Sequence, residues 1–152
     1  MQLGASRLLK RRPILSPEDA EEVLSLAREV MAPQAEKLRA FPPAEDMAGL
    51  GGSCTTLAAM EMGREAHGEA VEGRYVTREQ AEKWLKALAG MSLEERRHVP
   101  GLPPARAEHM PHGLCILLAV MQLTGFDRYQ LSTHNNLDAI VARLNRGQRV
   151  EA

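Results

Sequence analysis

The stretch AGLGGSCTTLAAM, from Ala48 to Met60, decides the fold of this chain. It is typical of a short apolar strand that turns through two glycines into a helix. Gly51 and Gly52 allow a positive φ or a close approach of a ligand to the backbone. The hydroxyls of Ser53 and Thr55 would lie beside the free N–H groups of the helix start, which favours phosphate binding. The alternative is a tight strand-to-helix turn with Thr55 as the N-cap residue.

The composition is that of an ordinary single domain, with 152 residues, 44% hydrophobic and 26% charged. A net charge of -1 gives no overall attraction to nucleic acid or to an acidic membrane. The longest apolar run, Leu114 to Met121, is far shorter than the roughly 20 residues that a transmembrane helix needs. Cys54 and Cys115 have no CxxC spacing. We therefore expect a reduced, cytoplasmic protein whose partners include neither nucleic acid nor membrane.

Helix-start signals and apolar periodicity predict a helix-rich chain. Ser16 and Pro17 mark the start of a long helix that Pro33 should end or kink. Capping boxes predict two further helices, which begin after Thr77 and Ser92. The other predicted elements are helices over 55–62, 111–123 and 137–145, short strands over 48–50 and 129–132, and a short strand or extended segment over 1–9. These strands must pair, because an isolated strand leaves its backbone groups unsatisfied.

Other candidate chemistry is incomplete in the sequence. His109 and His112 would share a helix face near His98, but no cysteine pair or HExxH motif completes a zinc site. Cys54 beside a helix N-terminus is a possible nucleophile, but without a histidine base a small core residue is favoured. A basic cluster, typical of a solvated face or alternatively of phosphate neutralisation, consists of Arg7, Lys10, Arg11 and Arg12. We identify no catalytic residue and no metal ligand.

Five segments, in this order, carry a resemblance to a known family. They are LGASRL (3–8), GLGGSCTTLAAM (49–60), VEGRYVT (71–77), MSLEERRHVPGLPPARAE (91–108) and GLCILLAVM (113–121). Together they resemble the exopolyphosphatase and guanosine pentaphosphate phosphohydrolase family, the Ppx/GppA phosphatases. The resemblance implies an α/β fold that is part of the second domain of an actin-like, ribonuclease H-like ATPase, helix-rich with few short strands. We assign this domain to residues 1–147 and a tail to 148–152.

The resemblance also implies a phosphate site and its cofactor. The implied phosphate-binding residues are Gly51, Gly52, Ser53 and Thr55, with Arg7 or Arg106 as cations. Mg²⁺ is implied by the family alone. The family's two phosphate loops and its water-orienting carboxylate would lie N-terminal to Met1, and the chain is expected to begin at the third strand of the second domain. Departures from the family pattern are Lys10 for an acid, Glu72 for a histidine, Glu108 for an aspartate and Ile140 for a glycine.

These implications lead to two functional hypotheses. The first is a phosphohydrolase domain that acts on polyphosphate or guanosine pentaphosphate and is incomplete for catalysis by itself, because hydrolysis needs a group that orients water. The alternative is a non-catalytic module that binds a nucleotide, polyphosphate or a protein. Whether the chain alone is an enzyme stays open. A complementary N-terminal half or a second copy is a further expected partner, because missing strands would expose a sheet edge.

Overall fold

The computed structural model describes residues 3–38, 40, 41 and 44–134. They form a mixed α/β structure with most residues in helices. The helices are α1 (Ala5–Arg11), α2 (Pro17–Leu38), α3 (Gly52–Glu61), α4 (Arg78–Ala89), α5 (Leu93–Arg97) and α6 (Met110–Thr124). The strands are β1 (Ala48–Gly49), β2 (Tyr75–Thr77) and β3 (Arg128–Leu131), and short 3-10 turns cover Gly68–Ala70 and Pro104–Arg106. The predicted helix over 137–145, Ile140 and the tail over 148–152 lie outside the described residues.

The sheet has the strand order β1-β3-β2. β1 runs parallel to β3, with Gly49 opposite Leu131. β2 runs antiparallel to β3, with Tyr75 opposite Gln130. Because parallel strands point the same way, the carboxyl ends of β1 and β3 meet at one edge of the sheet, and β2 ends at the opposite edge.

The core is built around α6, which is apolar on nearly every side. A helix of this kind is stable only when other elements cover it. Leu114, Leu118 and Met121 are completely buried, and α1, α2, α3 and α4 all pack against the helix. Gly125 ends α6 with a φ of 82°, the left-handed conformation that glycine adopts without strain. No helix among the described residues combines the length and the apolar character that a membrane crossing requires.

Several local predictions are confirmed. α2 begins at Pro17 with Glu18 and Asp19 in its first turn. Both capping boxes form, with Thr77 at the start of α4 and Ser92 at the start of α5. The predicted helix over 111–123 is α6, and the strand predicted over 129–132 is β3. Side chains next to a helix end decide these starts, so local sequence is sufficient to predict them.

The elements differ from the sequence predictions at four places. The strand expected over 1–9, and with it a strand at the start of the chain, is replaced by α1, whose Leu8 enters the core. α2 continues through Pro33, which lies on its exposed side, to Leu38. α3 begins at Gly52, and Thr55 is not its N-cap residue. β2 was not predicted, because it has only three residues and its last residue, Thr77, is already the N-cap of α4.

Candidate functional site

A polar cleft of about 550 Å³ lies where β1 and β3 end. In α/β sheets, ligands bind outside the carboxyl ends of parallel strands, because loops diverge there and helices begin. Here β1 leads through Gly51 into α3, and β3 leads into the segment 132–134. The cleft is lined by Gly51, Gly52, Thr55, His67, Gly68, Ser132, Thr133 and His134.

The near wall of the cleft is the start of α3. Gly51 has φ 86° and ψ 175°, a conformation that is essentially restricted to glycine. No described side chain caps this helix, and the hydroxyl of Thr55 donates to the carbonyl oxygens of Gly51 and Gly52, both at 3.3 Å. The amides of the first turn therefore have no side-chain acceptor and, with the helix dipole, favour an anion in the cleft.

Arg106 brings a positive charge to the same helix start. Its guanidinium lies against Gly52 so closely that a Cβ on this glycine would be 2.0 Å from Arg106 Nη1. None of the described residues forms an ion pair or a hydrogen bond with the Arg106 side chain. The positive guanidinium and the positive end of the helix dipole repel each other. An anion bound between them would attract both. Arg106 lines a smaller cavity of about 90 Å³ that shares Thr55 and His67 with the cleft.

Two of the predicted phosphate-binding residues lie elsewhere. The Ser53 side chain faces α6, since a Cβ on Gly113 would be 2.3 Å from Ser53 Oγ. Arg7 is exposed on α1 and does not belong to the described lining of the cleft. The structure thus brings together Gly51, Gly52, Thr55 and Arg106 from the predicted set.

The far wall of the cleft, residues 132–134, was not predicted. The Ser132 amide donates to the carbonyl of Gly49 at 3.0 Å, which joins the ends of β3 and β1. The amide and the hydroxyl of Thr133 both donate to Glu72 Oε2, at 2.5 Å each. These hydrogen bonds from Thr133 lower the pKa of the Glu72 carboxyl. His134 Nδ1 lies 3.9 Å from Glu72 Oε1. A partial signal was available, because Ser132 and Thr133 lie at the end of the strand predicted over 129–132.

Cys54 and His112 have structural roles. Burial raises the pKa of the Cys54 thiol to about 11, which keeps it protonated and argues against a nucleophile. His112 is fully buried, its Nε2 lies 2.9 Å from the Arg12 carbonyl oxygen, and burial lowers its pKa. In the described part of the chain, no three histidine, cysteine or acidic residues are placed to hold a metal.

The described cleft residues do not fit a magnesium site of their own. Mg²⁺ is held in proteins mainly by carboxylate oxygens and water. The described lining supplies glycines, hydroxyls and imidazoles but no carboxylate. Glu72, the nearest acid described above, already accepts two hydrogen bonds from Thr133. The implied Mg²⁺ therefore has no ligand set here.

Comparison with solved structures shows the fold. A Ppx/GppA family member from Aquifex aeolicus superposes with a TM-score of 0.81 at 20% identity, over 99% of this chain and 49% of that one. An exopolyphosphatase-like protein gives 0.82 at 22%, over 97% and 50%. An exopolyphosphatase from Cytophaga hutchinsonii gives 0.80 at 19%, over 100% and 50%. The chain has the actin-like fold of these proteins and spans about half of their length.

Sequence comparison agrees with the fold. No curated protein matches this chain. Residues 1–133 match the Ppx/GppA phosphatase family. This match includes the uncapped start of α3, the turn that carries Arg106, and β3 with the first residues of the far wall. The resemblance predicted from the sequence is confirmed, and the chain belongs to the Ppx/GppA phosphatase family.

Proposed function

We propose that this chain supplies the anion-binding wall of a phosphoanhydride hydrolase related to exopolyphosphatases. One observation carries the proposal: the uncapped start of α3 and the guanidinium of Arg106 converge on Gly52 at the edge of the cleft. Backbone amides, a helix dipole and a guanidinium together make a site for a phosphate group. The substrate is polyphosphate or a guanosine polyphosphate. Its terminal phosphate would bind between the start of α3 and Arg106.

Phosphoryl transfer depends mainly on positioning and on stabilising charge on the phosphate oxygens. The first-turn amides of α3 would donate to one oxygen, and Arg106 would neutralise a second. The lining of the cleft also offers the imidazoles of His67 and His134 to the rest of the phosphate chain. The chain would therefore bind and orient the phosphate, and the described lining supplies no carboxylate that could orient the attacking water.

Catalysis also needs a group that orients the attacking water. The described lining contains no carboxylate for this role. We propose that a complementary N-terminal half supplies it, so that hydrolysis takes place only in the completed site. Both described cysteines are free and buried, which suits the reducing cytoplasm where we place the protein.

The same absence of a carboxylate from the described lining favours a second candidate. In this candidate the chain is a non-catalytic module that binds polyphosphate or a phosphorylated guanine nucleotide. Such a module is stabilised by its ligand, because a ligand that binds only the folded state raises the free energy of unfolding. It releases no phosphate under any condition.

The decisive assay measures phosphate release from long-chain polyphosphate in a magnesium buffer. The purified chain is assayed alone and mixed with an N-terminal fragment of a family member. We expect release only in the mixture, and its loss with Gly52→Ala, because the new Cβ displaces the Arg106 guanidinium. Release by the chain alone would contradict the need for a second half. Ligand stabilisation without release in either sample would support the binding module, and the absence of both effects would refute both candidates.

A matched pair of arginine variants tests whether the positive charge of Arg106 at the start of α3 contributes to anion binding. Arg106→Gln removes the cation beside Gly52, and Arg64→Gln removes an exposed cation just beyond the other end of α3. We expect Arg106→Gln to weaken tripolyphosphate binding about tenfold, the size of one charge-assisted hydrogen bond. Arg64→Gln should change it only slightly. Equal losses in the two variants would mean that net charge, and not the Arg106 position, determines binding.

A further inference from the structure

The pairing of β2 with β3 continues beyond the regular strands. Tyr75 lies opposite Gln130 in the antiparallel register. Toward the cleft, the Leu131 amide donates to the Arg74 carbonyl at 2.7 Å, and the Gly73 amide donates to the Leu131 carbonyl at 2.9 Å. In the same register, the residue opposite Thr133 is Glu72. Glu72 therefore stands at the edge of the cleft, directly across from the far wall.

The contact between Glu72 and the far wall is unusually close. A single carboxylate oxygen accepts both the amide and the hydroxyl of Thr133 at 2.5 Å. The other oxygen lies 3.9 Å from His134 Nδ1. Thr133 and His134 line the cleft, whereas Glu72 is not part of this lining. The carboxylate thus contacts the far wall through Thr133, while its own side chain stays partly exposed to solvent.

We infer that Glu72 is a positioning residue for the anion cleft, fixing the backbone of Thr133 and with it the placement of Ser132 and His134. The inference rests on the proposed function. A free carboxylate so close to a phosphate site would repel the ligand. Two donors from Thr133 and the nearby imidazole of His134 partly offset the Glu72 charge, so that the carboxylate can hold the far wall at the edge of the cleft.

The test compares two acids that lie three residues apart in the sequence. Glu72→Ala removes the contacts with Thr133, and Glu69→Ala removes an exposed acid in the preceding 3-10 turn. If charge alone matters, both variants bind tripolyphosphate more tightly than the wild type. If Glu72 positions the wall, Glu72→Ala binds about tenfold more weakly, because two hydrogen bonds to a charged acceptor are lost. Glu69→Ala then binds equally or slightly more tightly.

A pH series with Glu72→Gln separates positioning from simple structural damage. Glutamine keeps an acceptor oxygen but not the charge, so we expect its binding to be about threefold weaker at neutral pH. His134, which lies beside Glu72, and His67 line the cleft in both proteins, so the wild type and the variant are compared at each pH. The ratio of wild-type to Glu72→Gln affinity should therefore approach one in acid, where Glu72 is protonated. A ratio that does not change with pH would contradict the inference.

The failures of the two proposals are distinguishable. Tripolyphosphate binding that Glu72→Ala leaves unchanged or strengthens overturns the positioning role alone. The absence of any binding by the wild type overturns the proposed function and this inference together. The Thr133 amide proton gives a readout that needs no ligand, since its chemical shift should follow the titration of Glu72 and lose this response in Glu72→Gln. A Thr133 amide chemical shift that does not change with pH would refute the contact between Thr133 and Glu72.

Discussion

Helices α3 and α4 begin in opposite ways, although each follows a strand that flanks β3. At α4, the amide of Thr77 donates to the Gln80 side chain at 2.8 Å, and the Gln80 amide donates to Thr77 Oγ1 at 3.2 Å. At α3 the equivalent position is Gly51, which has no side chain to offer. Two donors at the start of α4 are therefore satisfied within the protein, and those at the start of α3 have no side-chain acceptor.

The charged residues around the two helix starts show the same contrast. Asp127 forms an ion pair with Arg78 at 2.8 Å beside the start of α4, and Glu79 lies in its first turn. No acid occupies the first turn of α3, and Arg106 lies there instead. The strand directions also separate them, because β2 ends at the edge opposite the cleft. The start of α4 therefore stabilises the fold, and the start of α3 is arranged to bind an anion.

Gly51→Ala should give the largest effect on stability. A Cβ at this position meets nothing within 4 Å, so the cost comes only from the backbone conformation. Holding alanine in this glycine region costs about 2 kcal/mol. Urea unfolding should show a loss of this size, with Gly4→Ala, at an extended φ of -170°, nearly neutral. Equal stability of the two variants would mean that the turn into α3 is not constrained in this way.

Thr77→Ala should give a smaller loss, about 1 kcal/mol, typical of an N-cap residue. Because α4 starts at the other edge of the sheet, this variant should bind tripolyphosphate as the wild type does. Thermal unfolding with and without ligand measures both quantities. A variant that loses ligand stabilisation along with its cap would break the distinction between the two helix starts.

The smallest effect distinguishes the α4 cap from the cap of α5. Hydrogen bonds from Ser92 lower the pKa of Glu95, whereas the Thr77 box uses uncharged Gln80. A lowered pKa in the folded state means that the Glu95 contribution is present above the pKa of an unfolded glutamate, about 4.3, and is lost as the pH falls further. Hydrogen exchange should show first-turn amides of α5 losing protection in acid before those of α4. Simultaneous loss would contradict this assignment.

The same contrast explains what the sequence could predict. The starts of α2, α4 and α5 depend on residues within three positions of each other, and all three are predicted correctly. The far wall depends on β3 pairing with strands more than 50 residues away, so Thr133 and His134 could not be placed from local pattern.

The candidate site shows the same limit. From the sequence alone, Gly51 and Gly52 indicate a tight turn between a strand and a helix. The side on which Ser53 points and the approach of Arg106 depend on how α3 packs against α6 and against the turn at Pro104–Arg106. The sequence offered Arg7 and Arg106 equally as cations, and only the packing places Arg106, and not Arg7, beside Gly52.

The most direct measurement is a titration with tripolyphosphate at constant ionic strength, followed through backbone amide chemical shifts. The cleft predicts that the amides of Gly52 and Ser53 move most, those of Ser132–His134 move less, and those of Arg78 and Glu79 at the start of α4 stay in place. Shifts confined to the basic residues of α1, or equal at both helix starts, would contradict the assignment of the anion site to α3.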